Sequence, residues 1–187
     1  MTGETDNTGT RRGNRWSLAI WGAAALLLSL PAVAMRFTAE VDWDATDFIA
    51  MGVMLAAACG AYEVATRISG NTSYRAGVGV AVVTGFLTVW INLAVGMLGD
   101  EGNPANLLFG GVLLVALVGV VLAWFRPMAM ARAMTAAALA QAAVAVYALV
   151  GGYASVTPHI ALFVVPWLVS AQLFRRAARG QAVGSAT

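Results

Sequence analysis

The sequence predicts an all-α fold, a polytopic transmembrane helical bundle of six spans, on three observations. The chain is 60% hydrophobic and only 11% charged over 187 residues, whereas soluble domains run near ~45–50% apolar and ~25% charged. Its few charges are clustered, leaving apolar stretches of the roughly 20 residues needed to cross a bilayer core. The basic residues, finally, fall at alternate connections between those stretches, as the positive-inside rule requires of a multi-pass chain.

Residues 1–14, "MTGETDNTGTRRGN", are polar and rich in Thr and Gly, have nothing to bury, and predict a disordered tail. The first apolar stretch covers about 16–36 and admits two readings. Its run from Trp16 to Met35 is 20 residues long, where a signal-peptide core is typically about 7–15, so length favours a retained span. Ala32-Val33-Ala34 after Pro31 nevertheless has the form of a cleavage site. Cleavage after Ala34 would leave five spans and an outside N-terminus; retention gives six spans with both termini cytoplasmic. The Arg11-Arg12 pair lacks the rest of a twin-arginine signal and reads as an ordinary inside anchor.

The remaining spans are predicted at about 46–66, 76–98, 105–125, 131–152 and 159–174. The last is short and contains Pro166, which predicts a tilt or kink. Residues 15–175 thus form one helical domain with short connections, the pattern of antiparallel neighbours. Residues 176–187, ending in "RGQAVGSAT", predict a second disordered tail.

Orientation follows from Arg placement, since the chain has no Lys. Arg11, Arg12, Arg15, Arg67, Arg75, Arg126, Arg132, Arg175, Arg176 and Arg179 fall on one side and only Arg36 on the other, together with Glu40, Asp42, Asp44, Asp47, Asp100 and Glu101. The arginine side is the expected cytoplasmic side of a bacterial inner membrane. The sequence pI near 9.1 then reports orientation and contact with anionic lipid, and nucleic acid is not an expected partner.

Residues 41–67 laid on 100–126 at an offset of 59 place Gly52 on Gly111, Gly60 on Gly119 and Arg67 on Arg126, with Asp42, Asp44 and Asp47 opposite Glu101, Asn103 and Asn106. A parallel repeat would account for this, and so would biased composition. In the third span Gly77, Ala81, Gly85, Thr88, Asn92 and Gly96 recur every three or four residues and make a stripe of small and hydrogen-bonding side chains that should face protein. Gly52, Ala56 and Gly60 give the second span the small-xxx-small spacing of close helix packing, so these two helices are expected to pack together.

Polar residues inside spans are the candidate functional positions, because desolvating them is costly unless they are paired or wet. Glu63, Thr88, Asn92 and Gln141 form a candidate polar pathway. Glu63 with Arg67 four residues on also suits a structural ion pair, and Asn92 and Gln141 suit interhelical hydrogen bonds. At the outer face Asp42, Asp44, Asp47, Asp100, Glu101 and His159 form a second candidate site. Oxygen ligands of this kind suit a hard cation, but the glycine and terminal glutamate of an EF-hand loop are missing, and Asp44 or Thr46, and Asn103 before Pro104, suit helix N-caps. No metal or cofactor is therefore expected.

Several chemistries are excluded by composition. Without Lys there is no lysine Schiff base and no P-loop lysine. One His cannot supply bis-histidine haem ligation within a monomer, and the single Cys59 has no disulfide partner in the chain. "AGVGVAVVTG" lies within a helical span and lacks the strand of a dinucleotide site, and neither HExxH nor GxSxG is present. An enzyme is not expected.

The stretch "VWINLAVGMLGDEGNPANLLFGGVL", with the following "FRPMAMARAM", resembles small multi-span inner-membrane proteins of high-GC bacteria, and the similarity covers mainly residues 36–150. The resemblance implies location and architecture and carries over no activity or catalytic residue. Two functional expectations stand beside the disfavoured enzyme. One is an accessory or assembly protein acting through helix packing on a membrane-protein partner or a second copy of itself; the other is a small oligomeric transporter or channel with Glu63, Thr88 and Asn92 lining the path.

Overall fold

The computed structural model describes residues 8–100 and 102–184, and over them the chain is helical with no strand. Its helices are α1 (Thr8–Ala34), α2 (Ala45–Ile68), α3 (Thr72–Val95), α4 (Leu107–Ala123), α5 (Pro127–Val150), α6 (Thr157–Leu162) and α7 (Val164–Gly184), with a 3₁₀ turn at Pro104–Asn106 leading into α4. Six helical segments are long and apolar enough to cross a membrane: Ser17–Ala34, Ala45–Ile68, Thr72–Val95, Pro104–Ala123, Pro127–Val150 and Thr157–Ala182.

Packing divides the chain into two compact units, Met1–Glu63 and Val64–Thr187, where the sequence predicts one helical domain. The boundary falls inside α2. In the first unit α1 and α2 meet through side chains, with Ala24, Met51, Leu55 and Cys59 buried and the Gly52 Cβ position 3.8 Å from Leu28. The start of α2 is fixed locally. Asp44 Oδ1 accepts the amides of Thr46 and Asp47 at 2.7 and 3.0 Å, while Asp47 Oδ2 accepts the Asp44 amide at 3.0 Å. Trp43 then packs edge-on against Phe48 at 5.3 Å, so a reciprocal cap and a hydrophobic staple set the same helix end.

The second unit is organised around α5. Its alanines Ala131, Ala133, Ala137, Ala138, Ala145 and Ala148 are buried, and small side chains let α4 and α7 approach closely where no hydrophobic effect drives association. A Cβ at Gly119 would stand 2.7 Å from the Ala133 Cβ. α3 packs on α7: the Phe174 ring lies 3.3 Å from the Gly77 Cβ position and 5.1 Å, edge-on, from Tyr74. The α3 stripe therefore finds a partner in α7 through Gly77, and in α4 through Gly85, 3.6 Å from Leu113.

The backbone of residues 8–14 is helical, and α7 continues to Gly184 where a disordered tail is predicted from residue 176. The reason in α7 is burial: Phe174 and Ala177 have no exposed surface, so the last arginine-bearing turns are tied to the core. Residues 1–7 and 185–187 lie outside the described residues. The sixth span is two helices, broken at Phe163. Pro166 follows in the first turn of α7, where its missing N–H is tolerated, and the preceding turn cannot continue past its ring.

Candidate functional site: the buried polar residues of the second unit

The break between α6 and α7 is the feature around which polar side chains gather. At such a break the carbonyls of the last turn lose their i+4 donors. Ile160 O accepts the Phe163 amide at 3.3 Å, and Gln141 of α5 supplies a second donor, Nε2 at 3.0 Å. Gln141 has no exposed surface. Its Oε1 is buried without a partner among the described residues, as is Nε1 of Trp167, one turn beyond the break.

Thr88 and Asn92 lie on one face of α3 and are linked. Thr84 Oγ1 donates to Val80 O at 2.7 Å, Thr88 Oγ1 to Thr84 O at 2.8 Å, and Asn92 Nδ2 to Thr88 O at 2.9 Å. This ladder returns each donor to its own helix, the usual fate of hydroxyls in an apolar span. Asn92 Oδ1 is buried without a partner among the described residues. Near the N-terminal end of the same helix, Gly77 O accepts the Ser170 hydroxyl of α7 at 2.8 Å. An open groove of about 450 Å³ runs along α3 and the break, lined by Gly79, Val80, Val83, Thr84 and residues of α6 and α7 including Phe163 and Pro166. Thr88, Asn92 and Gln141 are not among its lining residues.

Glu63 belongs to the first unit, where the indole of Trp21 donates to its Oε2 at 3.2 Å. The predicted pathway residues thus fall as one carboxylate held by α1, a linked pair on α3, and a glutamine that bridges α5 to α6.

The outer-face candidates also separate. Asp44 and Asp47 cap α2, and Asp42 is exposed. Asp100 contributes its backbone carbonyl, which accepts from Asn106 Nδ2 at 2.6 Å. Glu101 lies outside the described residues, and His159 is exposed at the end of α6. Asparagines, not carboxylates, build this loop. Asn103 Oδ1 caps Ala105 at 3.0 Å while its Nδ2 donates to the Tyr153 hydroxyl at 2.9 Å. Asn106 Oδ1 accepts the amides of Met97 and Leu98 at 3.1 and 2.8 Å. Among the described residues no group of three or more His, Cys, Asp or Glu side chains could hold a metal ion.

The aligned positions Asp44 and Asn103 do the same job, each accepting the amide two residues on. Asp47 and Asn106 diverge, one completing a cap and the other bracing a loop.

Trp21, Ser170 and Trp167 were not singled out by sequence. A lone Ser or Trp in an apolar span carries no periodic signal; only the approach of α7 to α3 gives Ser170 its acceptor.

An all-helical chain with six segments able to cross a membrane is compatible with an integral membrane protein. No protein-family description, curated protein or solved structure matches it.

Proposed function

We propose that this chain is a multi-pass inner-membrane protein, not an enzyme, that acts as an accessory or assembly protein through helix packing in the bilayer. One observation carries the reading. The fully buried polar side chains at the centre of the second unit, Thr88, Gln141 and Ser170, all donate to backbone carbonyls of that unit, and the adjoining groove is lined almost wholly by hydrocarbon. Gln141 and Ser170 used this way hold helices together, and Thr88 returns its donor to its own helix; a solute path needs such groups turned toward water. Arginine placement supports cytoplasmic termini.

The test is the native mass of the protein released gently from its own membrane. A fixed-stoichiometry complex with another membrane protein, surviving mild detergent, is the expected result. A protein that always purifies alone and moves solute in liposomes overturns it.

A transporter is the second reading, favoured by the broken sixth span beside Gln141 Oε1 and Trp167 Nε1, which have no partner among the described residues. Interrupted helices with free polar groups are how transporters build midplane sites. On that reading Gln141→Leu or Glu63→Gln abolishes flux in liposomes while leaving the fold intact; on the first, no flux exists to abolish.

A further inference from the structure

The second unit, Val64–Thr187, contains two acidic side chains, Asp100 and Glu101, both in the connection between α3 and α4. α4 carries the chain the full length of a span away from them. At the far end stand Arg126, at the N-cap of α5, and Arg132, exposed in its second turn. α7 packs antiparallel on α5 and brings three more arginines to the same end. Arg175 Nη2 donates to Thr135 Oγ1 at 3.3 Å, and that hydroxyl in turn donates to Ala131 O at 2.8 Å, so one guanidinium is held against the bundle. Arg176 and Arg179 are exposed on either side of the buried Ala177. None of the five has a carboxylate partner among the described residues.

The depth of this cluster can be read from α4. The exposed side chains of its second half include Leu114, Leu117, Val118, Val121 and Leu122, followed by Trp124, 81% exposed, the exposed Phe125, and then Arg126. Aliphatic surface, indole and guanidinium succeed one another along the helix in the order hydrocarbon, interface and headgroup succeed one another in a bilayer. A guanidinium fork matches phosphate oxygens two at a time, and five of them without counter-charge favour a phosphate that carries no ammonium of its own.

We propose that Arg126, Arg132, Arg175, Arg176 and Arg179 form a binding surface for the headgroups of anionic phospholipid in the leaflet they meet.

The test uses the full chain reconstituted in phosphatidylcholine bilayers, with spin-labelled phosphatidylglycerol and phosphatidylcholine as probes of the lipid shell. Wild type is expected to prefer phosphatidylglycerol several-fold, and R132Q/R175Q/R176Q/R179Q to bring the ratio to near one. R36Q, a charge-matched change in the first unit, keeps the preference. R176Q and R179Q, both at exposed positions, each lower it by a part of the wild-type preference, so the result does not depend on the quadruple variant folding. Salt near ~1 M, where the Debye length falls to about 3 Å, weakens it. The proposal is overturned if wild type shows no preference, if the preference is undiminished in both single variants, if R36Q lowers it equally, or if millimolar inorganic phosphate competes it away, which would make the site one for a free anion.

Discussion

Ser170 has no exposed surface, and its hydroxyl reaches across to the backbone of α3 at Gly77. Side chain to backbone bonds between spans average about 0.6 kcal/mol and reach about 1.7 in favourable cases. Ser170→Ala is therefore expected to lower stability by roughly that amount in reversible unfolding in bicelles, whereas Ser170→Thr keeps the donor and tests the room around it. An unchanged stability for Ser170→Ala would mean that the hydroxyl turns to its own helix without loss. Gln141 is a different case, because one amide does two things: Nε2 satisfies a carbonyl released by the helix break, and Oε1 is left over. The sequence marked Gln141 as a buried polar group, but the need it meets arises only because α6 stops at Leu162.

Gly119 sets the closest approach between two helices. α4 and α5 are joined by a short reversal in which Trp124 and Phe125 both take left-handed backbone conformations, φ 46° and 58°, which L residues adopt reluctantly. Pro127 opens α5 and Arg126 before it is extended, as a residue preceding proline should be. The Tyr74 hydroxyl donates to Phe125 O at 3.1 Å and pins the reversal from α3. With the turn so constrained, a Cβ at Gly119, 2.7 Å from the Ala133 Cβ and 3.2 Å from its Cα, forces the helices apart. Gly119→Ala is expected to cost about 1–3 kcal/mol, the usual range for overpacking. Adding Ala133→Gly should recover part of that loss, and a coupling energy near zero in the double-mutant cycle would show that the two positions do not meet. Its counterpart in the sequence alignment, Gly60, has no heavy atom near its Cβ position, so the same residue type at matched positions carries different constraints.

At the scale of the whole molecule, if all six apolar segments cross the membrane, successive connections alternate between its two sides. Single cysteines at Glu40 and Gly102, in a Cys59→Ala background, should react with an impermeant thiol reagent from one side of sealed vesicles, and cysteines at Gly70 and Arg179 only from the other. Labelling of Gly70 and Gly102 from the same side would remove a span. The span count was legible because bilayer thickness sets a minimum apolar length, and the helix start at Asp44 because capping needs only neighbours. The cap at Asn103 was readable for the same reason. The extension of α7 to Gly184 was not, since nothing in "ARGQAVG" reveals that Ala177 meets the core. The candidate pathway was legible only as a set of costly polar residues; that Glu63 answers to Trp21, and Gln141 to Ile160, depends on residues 42 and 19 positions away. Sequence by itself determined the helical class, the number of apolar segments and the local caps, because these are properties of segments a few turns long. Only the tertiary structure decided the break at Phe163, the Gly119–Ala133 contact and the acceptor of each buried donor, because those depend on which distant backbone comes within 3 Å.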